Sequence, residues 1–424
     1  MAHYGCASAK PPAPAVVLST SDAPYVVQPF DGYPLTVDRE REARVNAAWS
    51  ALMAGGDPRA TLQIARELLV DDPGFHPGQV VAAAAELVLR DPDAIVRRLS
   101  PVQAELPAYT ASALLLGRSF ELTGDPAGAY AVFHVAQNTF AAQRAAALLP
   151  DAVRELADRV EDALGRNHVE DAESQLRLMR AWAPRDEATL IAARAVAVAR
   201  GDAGAELVAV RSLNERHPED RGLSERRGDL EAVVGDAKVG MQIFEALLHG
   251  EPGNSRIAEK LARVRFHWRM QLLPASVREV ARHAQLSRGE LALLLYWLLP
   301  DVRYGQASSV RIATDVLESP YREEIVRVMN QGLLDLDEAL HRFGADRAAT
   351  RPEASAALLR VLARGGHAAC LSTFAGAISR DSACDLAASC ALIAASTDCV
   401  PPVPLSGGTA IEMIRHTVDL LGTR

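Results

Sequence analysis

Four prolines, Pro150, Pro184, Pro218 and Pro252, recur at a constant interval of 34 positions. Inside the last two intervals Gly201-Asp202 and Gly235-Asp236 are also 34 apart, and each pair opens at the midpoint of its interval. A breaker at mid-interval and another at its end cut each repeat into two helical segments. A fixed period of this length is the mark of stacked helix–turn–helix units, in which neighbours bury what one unit leaves exposed.

The composition agrees with helices. Of 424 residues, 49% are apolar but only 5% aromatic, and much of the apolar share is Ala and Leu, which suit close helix packing better than sheets. A net charge of −9 excludes a general nucleic-acid binder. No run of Lys and Arg is long enough to track phosphates. The longest apolar run, 291–299, is too short to span a bilayer.

In order, residues 1–37 are rich in Pro, Ala, Ser and Asp with no helical period, and read as an extended leader or tether. Helical patterning starts near Asp38. A first pair turns at Gly56-Asp57-Pro58, and a second breaks at Asp91-Pro92. The fullest unit runs from Thr110 to about Gln143, with Leu116, Gly117 and Phe120 on one helix, Gly124-Asp125-Pro126 in the turn, and Ala129, Phe133 and Ala136 on the next. Gly117 and Ala129 let two backbones approach, and the phenylalanines fill the seam. Units at about 153–186, 187–220 and 221–254 keep the punctuation, with Ala172, Gly228 and Phe244 retained from the core pattern. This order and spacing resemble the tetratricopeptide repeat. The resemblance implies an all-α fold: a right-handed solenoid of five to six helix pairs over 38–272 whose groove holds a segment of a partner protein. Basic residues along the closing helix (Arg256, Lys260, Arg263, Arg265 and Arg269) suit either a solvated face or an acidic partner.

Beyond Leu273 the pattern changes. Asp315-Val316 precedes a helix from Tyr321 to Asn330, Gly332 a turn, Phe343 a loop, and Thr350-Arg351-Pro352-Glu353 opens an Ala- and Leu-rich helix. A shorter echo, Ser287-Arg288-Gly289-Glu290, stands 63 positions upstream. Ser287 with Glu290, and Thr350 with Glu353, have the spacing of capping boxes. The order resembles an S-layer homology module of bacterial cell envelopes, here over 273–365 and at most two modules long. The resemblance implies a small helical domain whose signature arginines, Arg288 and Arg351, meet anionic cell-wall polymer.

The segment 366–424 carries Cys370, Cys384, Cys390 and Cys399, spaced 14, 6 and 9. This clustering fits two local disulfides of an exported domain, with three connectivities open. A zinc site is the weaker rival, since there is no Cys-x-x-Cys and His367 is the only nearby histidine. Tyr4-Gly5-Cys6-Ala7-Ser8 resembles the cleavage region of bacterial lipoprotein precursors, which would make Cys6 a lipidation site. No basic segment or apolar stretch precedes it, so either the match is accidental or the true start lies upstream.

No phosphate loop, nucleophile elbow, His-Glu-x-x-His or dinucleotide fingerprint occurs, and the eleven histidines are scattered. Neither a cofactor, a metal nor a catalytic residue is expected. Together these features point to a non-enzymatic protein-binding scaffold of the cell envelope or periplasm. The alternatives are a permanent subunit of an envelope secretion or surface structure and, for location, the cytoplasm.

Overall fold

A computed structural model describes residues 18–307, 310–337, 339–365, 369–371, 378–395 and 404–422. The regular structure among them is helical, with three isolated bridges and no strand. The chain divides into two compact units, Met1–Arg216 and His217–Arg424.

The first unit holds five antiparallel pairs: α1 Arg39–Met53 with α2 Pro58–Asp71, α3 His76–Val88 with α4 Pro92–Glu105, α5 Thr110–Thr123 with α6 Pro126–Val135, α7 Thr139–Gly165 with α8 Val169–Trp182, and α9 Glu187–Arg200 with α10 Ala203–Arg216. The second helices begin on a register that the prolines only partly mark. Asp57-Pro58, Asp91-Pro92 and Asp125-Pro126 lie 34 apart. Each aspartate caps its helix, accepting from Arg59 N, Ala94 N and Gly128 N at 3.0, 3.0 and 2.7 Å, while proline at the first position gives up a donor the helix start cannot use.

The register then slips. α7 is 27 residues long and carries Pro150 in its interior, so Pro150 closes no unit, unlike Pro184, Pro218 and Pro252, which fall between helices. The carbonyl of Ala146, which Pro150 cannot bond, lies on an exposed stretch where water can satisfy it.

Gly117 makes room for a ring rather than for a backbone. A Cβ built on it would lie 2.3 Å from the Phe133 ring, in the second helix of its own pair. Gly228 and Phe244 repeat the contact in the second unit, where the built Cβ would come within 2.8 Å. In both pairs the glycine stands 16 positions before the phenylalanine.

The second unit opens with the pair α11 Arg221–Val234 and α12 Ala237–Gly250, closed by α13 Ser255–Gln271. The basic face of α13 is satisfied at home. Lys260 bonds Glu225 at 2.7 Å and Asp229 at 2.5 Å, Arg265 bonds Glu245 at 2.8 Å, Arg263 bonds Glu259 at 2.8 Å, and Arg256 bonds Glu225. Most of that charge is therefore internal pairing.

The rest of the unit is built from α14 Ala275–Val280, α15 Arg288–Leu298, α16 Pro300–Tyr304, α17 Arg322–Asn330, α18 Arg351–Gly365, α19 Arg380–Ser389 and α20 Gly407–Gly422, around one apolar core. Three backbone hydrogen bonds close a ring at its centre. Leu286 N donates to Leu405 O at 2.8 Å, Leu405 N to Ala349 O at 3.0 Å, and Ala349 N to Leu286 O at 2.8 Å. Each of these fully buried residues is followed by a hydroxyl residue, Ser287, Thr350 or Ser406, at the start of α15, α18 or α20. Sequence shows two such starts and the structure brings together three. Ser406-Gly407-Gly408-Thr409 keeps the cap, with Thr409 N donating to Ser406 Oγ at 3.1 Å, but has neither arginine nor glutamate to betray it.

Residues 18–37 are not a tether. Asp22, Tyr25 and Pro29 are buried against the first unit, and the stretch lies across its helices as a strap. Asp22 and Tyr25 find partners on α5, the Pro29 carbonyl accepts from Tyr109, and this anchoring outweighs the absence of any helical period.

Candidate functional site

The signature residues of the carboxy-terminal unit build its interior. The capping box of Ser287 and Glu290 is complete: Ser287 Oγ accepts from Glu290 N at 3.2 Å, and Glu290 Oε2 accepts from Ser287 N at 2.7 Å. Thr350 N donates to Glu353 Oε2 at 3.2 Å. Glu353 and Arg288 are each 2% exposed. Arg288 Nη1 reaches Glu353 Oε1 at 2.6 Å, Nη2 reaches the Asp335 carbonyl at 2.6 Å, and the guanidinium lies 4.6 Å from the centre of the Phe343 ring. Arg347 closes on the same carboxylate from the solvent side. An arginine so enclosed cannot reach a polymer, so the contact implied by the resemblance fails at Arg288; Arg351 is half-buried at the start of α18.

Asp315 ties the loop to the same centre. Its carboxylate accepts from Phe343 N at 2.8 Å and Gly344 N at 2.6 Å. Burial alone would raise its pKa, but these amide bonds hold it below the usual carboxylate value. Gly344 has φ +73°, which a side chain would strain.

Cys370 and Cys390 form a disulfide, Cys384 is disulfide-bonded as well, and Cys399 and Cys6 lie outside the described residues. Opening a link between residues 20 apart in sequence is expected to cost the carboxy-terminal unit about 3 kcal/mol. Thermal melts with and without reductant check this, and identical midpoints would show that the link does not support the unit.

The amino-terminal unit carries a slot on the side of its first helices, and the strap lies in it. Asp22, 1% exposed, accepts from Arg90 Nη1 at 2.8 Å and from Arg118 Nε at 2.9 Å. Burial would raise its pKa, but hydrogen bonds from Ser19 and Arg118 and the charges of Arg118 and Arg90 win and lower it. Three residues on, Tyr25 lies edge-on to Phe140 with ring centres 4.9 Å apart, and the Arg118 guanidinium is 5.0 Å from its ring centre. The Tyr25 hydroxyl donates to Glu121 Oε2 at 2.8 Å. Burial and that carboxylate push the phenol up to about 12. Glu121 is held in turn by Arg118 at 3.0 Å and Arg144 at 2.5 Å. Further along, Tyr109 donates to the Pro29 carbonyl, Ala111 N donates to Asp31 O at 3.2 Å, and Gly32 passes over Thr110 with φ +76°. None of these residues stands out in sequence, because their meaning rests on distant pairings, 68 positions apart for Asp22 and Arg90 and 96 for Tyr25 and Glu121.

A cleft of about 540 Å³ lies nearby between α3 and α4, lined among others by His76, Glu86, Arg98 and Glu105. Glu86 pairs there with Arg98 at 2.5 Å, and Glu105 lies 3.1 Å from His76 Nε2. Among the described residues no three His, Cys, Asp or Glu side chains converge as a metal site requires, and no helix is long and apolar enough to cross a membrane.

No protein-family model matches the chain, and no curated protein does. Among solved structures it is similar to the thermophilic TPR protein TTC0263 of Thermus thermophilus, at 13% identity over 53% of this chain and 98% of that one, with a TM-score of 0.19. It is also similar to the P58(IPK) TPR domain, at 14% identity over 91% and 100%, with a TM-score of 0.28. The chain's own antiparallel pairs and its repeated glycine–phenylalanine contact make it an all-α, tetratricopeptide-like array of helix pairs.

Proposed function

We propose that this protein is a non-enzymatic adaptor of the cell envelope, whose helix-pair array holds a segment of another protein. The carboxy-terminal module, 273–365 with its cysteine-bearing extension, attaches the array or completes its assembly. One observation carries the reading. The first-helix side of the amino-terminal unit already accommodates a turn-rich polypeptide segment, residues 18–33, through a buried carboxylate, a buried tyrosine and main-chain hydrogen bonds. A surface that takes its own chain this way has the means to take another. The disulfide between Cys370 and Cys390 supports an oxidising compartment.

Two measurements on the protein in its native host test this. A photo-crosslinker at Ala147, exposed one turn after Arg144, should capture a defined polypeptide, and one at Arg154, exposed further along α7, should not. Intact mass of protein from the envelope fraction should rise on reduction by the hydrogens of the opened disulfides. Equal capture at both positions would remove the slot as the binding surface. Fully reduced thiols with purely cytosolic fractionation would remove the envelope.

A further inference from the structure

The strap is held by Asp22, Tyr25 and Pro29 and by half-buried apolar side chains, among them Val26, Val27, Phe30 and Tyr33, packed against the core. Of residues 18–37 only Asp22, Tyr25 and Pro29 are buried, and most of the others are exposed. It contains no Lys or Arg, and its acids are Asp22 and Asp31. The surface under it has the opposite bias. Arg90, Arg118 and Arg144 converge there, and among the described residues Glu121 is the only helical carboxylate bonded to any of them. With the strap removed, Glu121 would still hold Arg118 and Arg144. What would be missing is one negative charge against Arg90 and Arg118, and an aromatic ring between Phe140 and Arg118. Asp22 and Tyr25 supply both, at a spacing of three.

We propose that this slot is a receptor for a turn-forming protein segment bearing a carboxylate and, three positions on, a tyrosine, and that residues 18–33 fill it in cis until such a segment displaces them. The proposal rests on the groove reading above and adds its specificity and its control. The two arginines select a carboxylate, because a buried anion needs the bidentate, charge-assisted donors that they provide. Phe140 and Arg118 take an aromatic ring by edge and face. Glu121 asks that the ring carry a donor, which selects tyrosine over phenylalanine. Asp22-Ala23-Pro24-Tyr25 holds the two anchors at the required distance in a single 3₁₀ turn, and a partner must match that geometry.

The test uses the full chain and a labelled synthetic peptide of residues 18–33, followed by fluorescence anisotropy. A tethered segment competes at an effective concentration of about a millimolar, so the intact chain should bind the peptide at least about tenfold more weakly than a chain carrying Asp22→Ala and Tyr25→Ala. The same two substitutions in the peptide should abolish binding, and a peptide with Tyr25→Phe should bind more weakly. A loosened chain that keeps its helical circular dichroism yet binds no better than the intact one would overturn the proposal. If the loosened chain loses its fold, hydrogen exchange on the intact protein decides. Amides of Tyr25 and Val26 should exchange at least about tenfold faster than those within α5, as expected of a segment that leaves folded helices behind. Equal rates would make the strap an integral part of the fold and overturn the proposal. Because the probe is the chain's own peptide, such a failure is separate from failure to crosslink a partner, which bears on the adaptor reading alone.

Discussion

Glu353→Ala is expected to destabilise the carboxy-terminal unit by about 3–5 kcal/mol, more than any surface change in this chain, because it strands a buried cation. Arg288 is 2% exposed, and its enclosure between Phe343, the Asp335 carbonyl and Glu353 leaves water no approach. The loss reaches further than one ion pair, since Glu353 Oε2 also accepts from Thr350 N at the start of α18. Arg288→Met together with Glu353→Leu should recover most of the stability, since both charges then leave the interior together. Hydrogen exchange at α15 and α18 amides across a urea series would measure both, confined to this unit. A single substitution costing under about 1 kcal/mol would mean that the pair is solvated and its burial overstated.

Phe133→Ala in the amino-terminal unit is expected to cost about 3–5 kcal/mol, through lost transfer energy and the cavity left behind. Phe133 is fully buried, sits against the bare backbone of Gly117 and approaches the Tyr25 ring. The converse change tests the same fit. Gly117→Ala should cost about 1–3 kcal/mol, because the ring is enclosed and cannot retreat from a new methyl group. Phe133→Leu should relieve part of the Gly117→Ala penalty, so the double variant should be more stable than the two single costs summed. Strict additivity in urea unfolding would show that the glycine matters for the backbone and not for the ring. Phe244→Ala should behave alike in the other unit, where Gly228 plays the same part.

The helix pairs were legible in the sequence because their signals are local. Asp-Pro at the start of a helix, glycine with a left-handed φ at the end of α5 and of α9, and Gly and Phe 16 apart each act within one helix or one helix pair. Pro150 misled because a single proline on an exposed helix face loses only a bond that water replaces. Its agreement with the spacing of 34 reflects neither a turn nor a cap. The third helix start at Ser406 was illegible for the opposite reason. The hydroxyl cap survives, but the ring joining Leu286, Ala349 and Leu405 is made of backbone groups, which any residue supplies.

The sequence by itself determined that this chain is helical, that its helices pair, and where most of them begin. Those outcomes follow from propensity, capping and periodicity, which operate over a few residues. Only the tertiary structure decided which charged residues are interior and which are available. Arg288 resembled a ligand-binding arginine and became a buried structural cation, while the proline-rich stretch from 18 to 37 resembled a tether and became the occupant of a slot. Burial of a charge or a ring depends on partners brought from far along the chain, 68 positions away for Asp22 and Arg90 and 96 for Tyr25 and Glu121. No pattern within a short window of the sequence specifies such a partner.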